Sequence, residues 1–425
     1  MRLTYSLDYY SFLILLFSIP FGRKLFLPIF AIWSCFVLLT YFVKLDYSKT
    51  RFKGLLVIPI IYFFIYSFGI ILTSDHKEIF NDLLFKLSLL LLPILYPFNR
   101  QLYKDGKSTM LKSYVIGCFS ASLFYFGHAV YRSLYIANGR LVLDNGWHYY
   151  FLSNNFSYFV HPSYLALFFL VAILIVVIEK DKWFKTTITG GFNVFLTTFP
   201  LLISLIILQS RAGIIGLGLL MLCFFLYSVV KRKYIVGLTG LFFLLALVFI
   251  SFTRFERYEN TMTSLRSTAG IGVENMPKEN GTSIRFWIWK SAILSISEHP
   301  ITGVGPQNVR KALCKHYVEW DMKVAAGKRL NAHNQYLETW LGLGVFGLIV
   351  LLALLFVPIW IGVKKRDWLL VGAISLCSFS FIFESMLETI SGIFFFAVLY
   401  TLLVSPYVYS FNLIPRKFTL FKRKV

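Results

Sequence analysis

Long unbroken apolar runs separated by short basic segments dominate the pattern of this chain. Runs of about 18 or more such residues suffice to cross ~30 Å of hydrocarbon as helices. They predict helices near residues 8–22, 25–43, 54–73, 80–98, 111–132, 162–179, 192–210, 212–230, 234–252, 335–362, 367–385 and 388–411. The first is short and shares a tight turn, Phe21-Gly22-Arg23-Lys24, with the second. No A-x-A-like cleavage site follows it, so it reads as a retained helix and not as a removed signal peptide.

Two connections are too long to be turns. Residues 133–161 hold Asn138-Gly139, Asn145-Gly146, His148 and an aromatic cluster. Residues 253–334 alone have the size and polarity of a small extramembrane domain. There, Ser283 to Glu298 reads as an amphipathic helix with Phe286, Ile293 and Ile296 at helical spacing. It stops before Pro300, and TGVGPQN supplies a glycine turn. The pattern thus divides the chain into 1–252 with helices one to nine, 253–334 as a loop domain, and 335–425 with helices ten to twelve and a basic tail. The expected class is all-α, a polytopic membrane protein of about 12 transmembrane helices.

Composition agrees. Hydrophobic residues make up 57% and charged residues 15%, against about 25% charged in soluble domains; a soluble enzyme is excluded. Lys and Arg total 42 against 20 Asp and Glu, a net charge of +22. In a soluble protein that excess would suggest nucleic acid. Here its distribution has a topological explanation and no nucleic-acid partner is expected. With the N-terminus cytoplasmic, 23 of these cations fall in inner segments and six in the short outer connections: Arg23, Lys24, Lys77, Arg132, Arg140 and Arg211. The positive-inside rule then puts both termini in the cytoplasm and the 253–334 loop outside. Five cysteines include no CxxC pair, so neither a zinc site nor a disulfide framework is indicated.

Candidate chemistry gathers on the outer side, where all seven histidines fall: His76, His128, His148, His161, His299, His316 and His333. Arg211, in LQSRAGIIGLG, sits in a turn too tight to hide its charge, on the side where cations are disfavoured. It reads either as a snorkelling helix-end arginine or as a functional charge at the membrane boundary. Arg285, flanked by Trp287 and Trp289, reads as an interfacial surface residue or as a second functional cation. His333 reads as a helix cap together with Asn334 or as a proton acceptor. Jointly, two guanidinium forks suit a phosphate and a histidine suits a proton, so the three fit expulsion of a lipid-linked phosphate. No HxxxH, HxH or carboxylate cluster indicates a metal, and no cofactor is expected. Glu384 and Glu388, four apart across the last outer turn, read as a carboxylate pair or, more readily, as a solvated turn or counter-charges to outer arginines. Lys86 reads as a snorkelling or headgroup-binding lysine, and His161-Pro162 as an ordinary helix start.

Three segments carry a family resemblance: SRAGIIG at 210–216, RFWIWKSAILSISEHPITGVG at 285–305 and HNQYLETWLGLGVFG at 333–347. They resemble the O-antigen ligase and polymerase superfamily of bacterial inner membranes, as does the layout with one large loop between helices nine and ten. The resemblance implies a GT-C-like helical fold. It also implies metal-independent, inverting glycosyl transfer from undecaprenyl diphosphate at the periplasmic face, with Arg211 and Arg285 on the diphosphate and His333 as base. A ligase would use lipid A–core as acceptor, the reading preferred for the single dominant loop; a polymerase would use a repeat unit. A related branch glycosylates proteins. Transport of lipid-linked oligosaccharide is disfavoured because no repeat of broken helices is visible.

Overall fold

The computed structural model describes residues 2–44, 54–69, 83–96, 100–137, 140–144, 146–184, 188–230 and 283–407. The predicted helix 234–252, the first part of the loop (253–282) and the basic tail from residue 408 lie outside the described residues.

Eleven of the predicted helices are there. They are α1 (Arg2–Ser18), α2 (Arg23–Lys44), α3 (Val57–Phe68), α4 (Ser88–Leu95), α5 (Arg100–Ser133), α6 (Pro162–Trp183), α7 (Ile188–Ile207), α8 (Arg211–Val230) and, after the loop, α12 (Gln335–Lys365), α13 (Trp368–Phe383) and α14 (Ile390–Val404). Six of these are long and apolar enough to cross a membrane, and shorter apolar helices accompany them. The protein is a polytopic helical membrane protein. The loop adds α9 (Ser283–Glu298), α10 (Val309–Glu319) and α11 (Lys323–Lys328).

One departure from an all-α chain follows α5. Leu134–Ala137 (β1) and Arg140–Leu143 (β2) pair as an antiparallel hairpin.

Apolar packing alone does not distinguish helices from lipid, so polar contacts between helices specify their arrangement. Ser122 of α5 meets Ser204 of α7 at 2.8 Å, and Tyr114 Oη donates to the Phe168 carbonyl at 2.8 Å. Tyr400 Oη of α14 donates to the Leu55 carbonyl at 2.9 Å. Glycines set the register of α6, α8 and α13. A Cβ on Gly213 would lie 2.7 Å from that of Ala166, one on Gly216 would lie 2.9 Å from Leu170, and one on Gly372 would lie 2.9 Å from Leu174. Consequently α6 and α8 run parallel, with Arg211 level with the start of α6, and the C-terminal end of α13 arrives at the same level.

The loop has its own core, built from Ile284, Ile288, Ala292, Ile296, Val309, Leu313, Tyr317 and neighbours. The expected helix α9 has the predicted bounds, but its buried face differs. Phe286 and Ile293 are 53% and 57% exposed; Ile284, Ile288 and Ala292 join Ile296 instead, because α10 and α12 pack on that stripe.

The TGVGPQN turn fastens this unit to α12. Gly303 (φ 69°) and Gly344 (φ 68°) both adopt left-handed backbone that only glycine tolerates readily. Gly344 breaks the regular course of α12, and the exposed groups there bond the turn: Val304 N to Leu341 O at 2.8 Å, Gly305 N to Gly342 O at 3.1 Å, and Val345 N to Pro300 O at 3.1 Å.

Candidate active site

The start of α12 is sharply defined. Asn334 is the N-cap, its side chain accepting from Tyr336 N at 2.9 Å and Leu337 N at 3.1 Å. His333 therefore does not cap. It sits at φ 45°, a conformation costly for a non-glycine residue, and its ring turns to the end of α13. There His333 Nδ1 lies 3.2 Å from Glu384 Oε2. The other oxygen, Oε1, accepts from Arg285 Nη2 of α9 at 2.7 Å and from Ser163 Oγ of α6 at 3.3 Å. Glu384 is thus held by three separate elements.

This carboxylate is 7% exposed, while the Arg285 and His333 side chains keep 26% and 27%. Burial alone would raise its pKa. The His333 hydrogen bond and the positive fields of Arg285, His333 and His161 outweigh that and hold it below the usual carboxylate range. An ionised carboxylate only accepts hydrogen bonds. In the neutral imidazole, Nδ1 then carries the hydrogen and Nε2 keeps its lone pair. Arg285 commits one nitrogen to Glu384 and retains other donors of its fork.

Arg211 begins α8 and is exposed. The α6–α8 register places it level with Ser163, and hence at the end of the bundle that carries Glu384. The three residues singled out in the sequence therefore reach one end of the molecule. Arg285 and His333 are joined directly through Glu384; Arg211 stands on a neighbouring helix. Among the described residues, no three His, Cys, Asp or Glu side chains gather as metal ligands would.

Residues 196–352 match a family described as O-antigen ligase. This segment belongs to the O-antigen ligase and polymerase superfamily. It includes Arg211, Arg285 and His333. The chain is also 25% identical over 388 residues to a Haemophilus influenzae protein described as uncharacterized, covering 86% of this chain and 90% of that one. The matched segment supports O-antigen ligase or polymerase activity.

Glu384 and Ser163 were not among the expected site residues, and both lie outside the matched segment. Glu384 is buried and not solvated, and it is the counter-charge of one outer arginine, Arg285. Glu388 is likewise occupied: its Oε2 is 2.8 Å from Lys86 Nζ, and its Oε1 accepts from Gln335 Nε2 at 3.2 Å. Lys86 does not snorkel. It is 2% exposed, also donates to the Leu387 carbonyl at 2.9 Å, and lies 4.0 Å from the Tyr66 ring centre. Gln335 Oε1 in turn accepts from Leu387 N at 2.7 Å. This network ties the 384–389 turn to α12 beside His333. His161 keeps its structural role, with Nδ1 accepting from Ser163 N at 3.4 Å.

Proposed function

We propose that this protein is an O-antigen ligase that moves an undecaprenyl-diphosphate-linked polysaccharide onto lipid A–core at the periplasmic face of the inner membrane. The observation that carries the reading is the shared Glu384 carboxylate, which binds a histidine through Nδ1 beside a partly exposed guanidinium. In the proposed step, the acceptor hydroxyl oxygen attacks the anomeric carbon and its proton passes to His333 Nε2. The bond from that carbon to the diphosphate oxygen breaks, and the pair stays with the departing diphosphate. Arg285 and Arg211 stabilise the charge that develops there, commonly the largest contribution in such reactions. A single displacement inverts the anomeric configuration. No metal enters this mechanism, and residues 253–334 act as an extramembrane unit that brings Arg285 to the site.

The test uses purified protein, lipid-linked donor and lipid A–core, with and without chelator. Arg211→Ala and Arg285→Ala should each lower turnover by ~10²–10³, with poor rescue by Lys, whose point charge lacks the fork. His333→Ala should lose ~10²–10⁴. Full turnover by His333→Ala sinks the base assignment. Loss of turnover on chelation, restored by Mg²⁺, sinks the metal-free mechanism. Deletion of the gene separates the acceptors: loss of all O-antigen from lipid A–core with lipid-linked polymer accumulating supports the ligase, and a surviving core-plus-one-repeat band supports a polymerase. A reporter fused near Glu279 should read periplasmic; a cytoplasmic signal overturns the orientation.

A further inference from the structure

Arg23, Lys24 and Arg132 are three of the few cations in the short connections on the side where positive charge is disfavoured. The fold packs the segments that carry them against one another. Gly22, at φ 97°, turns the chain into α2, and a Cβ there would lie 3.0 Å from the Phe159 carbonyl oxygen. Tyr125 Oη of α5 donates to the Pro20 carbonyl at 2.9 Å. The turn bearing Arg23 and Lys24 is thereby clamped against the last part of α5 and the segment before α6. His128 and Arg132, one turn apart on α5, line the same aromatic group. The His128 ring lies 5.1 Å from that of Tyr158 and 5.9 Å from that of Phe159. The Arg132 guanidinium carbon is 5.0 Å and 5.2 Å from the Tyr150 and Tyr158 rings.

Two polar atoms of this cluster lack a protein partner. Arg132 Nη1 and His128 Nδ1 are both buried and make no hydrogen bond. Asp144, in the neighbouring hairpin segment, is engaged elsewhere, accepting from Tyr150 Oη at 3.1 Å and Gly146 N at 3.2 Å. A buried guanidinium nitrogen without a partner carries a desolvation cost, and in a native protein it calls for an explanation such as a bound group. Arg23 and Lys24 are exposed nearby. Tyr131, Tyr158 and Phe159 are 77%, 58% and 42% exposed, and amphipathic rings beside basic groups at a helix end match the headgroup level of a bilayer.

We propose that this cluster is a binding site for the phosphate of a lipid head group. Arg132 and His128 contact the phosphate, and Arg23 and Lys24 supply the surrounding positive field. A guanidinium presents paired donors to phosphate oxygens, and the rings exclude water from one side of the contact. The site uses neither Arg211 nor Arg285, and it stands whether or not the glycan-transfer reading does.

Native mass spectrometry of the purified full-length protein in a nonionic detergent tests it, with phosphatidylglycerol, phosphatidylcholine and undecaprenyl monophosphate as probes. Wild type should retain phosphatidylglycerol at concentrations about tenfold below those Arg132→Gln requires, the scale expected for a lost charge-assisted contact. Phosphatidylcholine, whose choline offsets the phosphate charge, should bind both alike. One-for-one displacement of phosphatidylglycerol by undecaprenyl monophosphate assigns the phosphate to a polyprenyl carrier; failure to displace assigns it to bulk phospholipid. Equal phosphatidylglycerol retention by wild type and Arg132→Gln overturns the proposal. So does a wild type that prefers neither anionic lipid to phosphatidylcholine. If Arg132→Gln melts early without lipid, the exposed pair Arg23→Gln/Lys24→Gln decides, and unchanged retention there counts against the site.

Discussion

His333 Nδ1 lies 3.2 Å from Glu384 Oε2, across 51 residues of chain, while the second oxygen of the same carboxylate holds Arg285. One buried side chain therefore sets both the tautomer of the candidate base and the place of a candidate phosphate-binding cation. Glu384→Gln preserves the volume but puts a neutral amide against the imidazole, so Nδ1–H loses its charged acceptor. Turnover at saturating substrate should fall by ~10²–10⁴, with the KM for donor changing much less. The readout is steady-state transfer by purified protein. A turnover within about threefold of wild type would remove the positioning role.

The depressed pKa of Glu384 makes stability depend on pH with a definite sign. A carboxylate whose folded pKa lies below its unfolded value of ~4.3 contributes stability that is fully present above that unfolded value. The contribution is lost as pH falls through the lower folded value. The melting-temperature gap between wild type and Glu384→Gln should therefore be full from about pH 6 upward and shrink as pH falls below the usual carboxylate range. Thermal melts in detergent across that range check it; a gap that widens with acid would contradict the assignment.

Lys86 and Glu388 form a pair in which only the glutamate retains some exposure, 18% against 2%. Removing one partner strands the other, which typically costs ~3–5 kcal/mol. Lys86→Met should thus lower the melting temperature strongly. Lys86→Met/Glu388→Leu should recover most of the loss, because a well-packed apolar pair can replace a buried ion pair. Equal melting of the single and double variants would mean that the pair is not coupled.

Gly344→Ala would force a side chain onto left-handed backbone and drive its Cβ into the Ile301 carbonyl oxygen. At φ 68° and ψ −168° the backbone lies in a region essentially reserved for glycine, a strain worth ~1–3 kcal/mol for another residue, and relief requires moving the turn that docks α9 on α12. Both melting temperature and transfer should drop, since α9 carries Arg285. Gly218→Ala is the control: nothing lies within 4 Å of its added Cβ, and it should leave both nearly unchanged.

The apolar runs were enough to mark eleven described helices and the bounds of α9, because membrane spans and loop helices depend on local length, hydrophobicity and punctuation by Gly and Pro. Arg211, Arg285 and His333 were legible through short motifs whose side chains are hard to place as ordinary membrane-boundary residues. Glu384 was not. Its spacing from Glu388 fits a solvated turn as well as counter-charges to outer arginines, and nothing local reveals that one faces Arg285 and the other Lys86.

The buried stripe of α9 is not legible for a related reason: with apolar residues on two faces, only the positions of α10 and α12 decide which face is covered. The same holds for Lys86, whose burial depends on Glu388 being 302 residues away in sequence and 2.8 Å away in space. Sequence by itself determined what each segment is, since helix formation in an apolar run is settled by its own residues. Which charges meet was decided only by tertiary packing, because a charge is stabilised by its partner, and here the partners come from different helices.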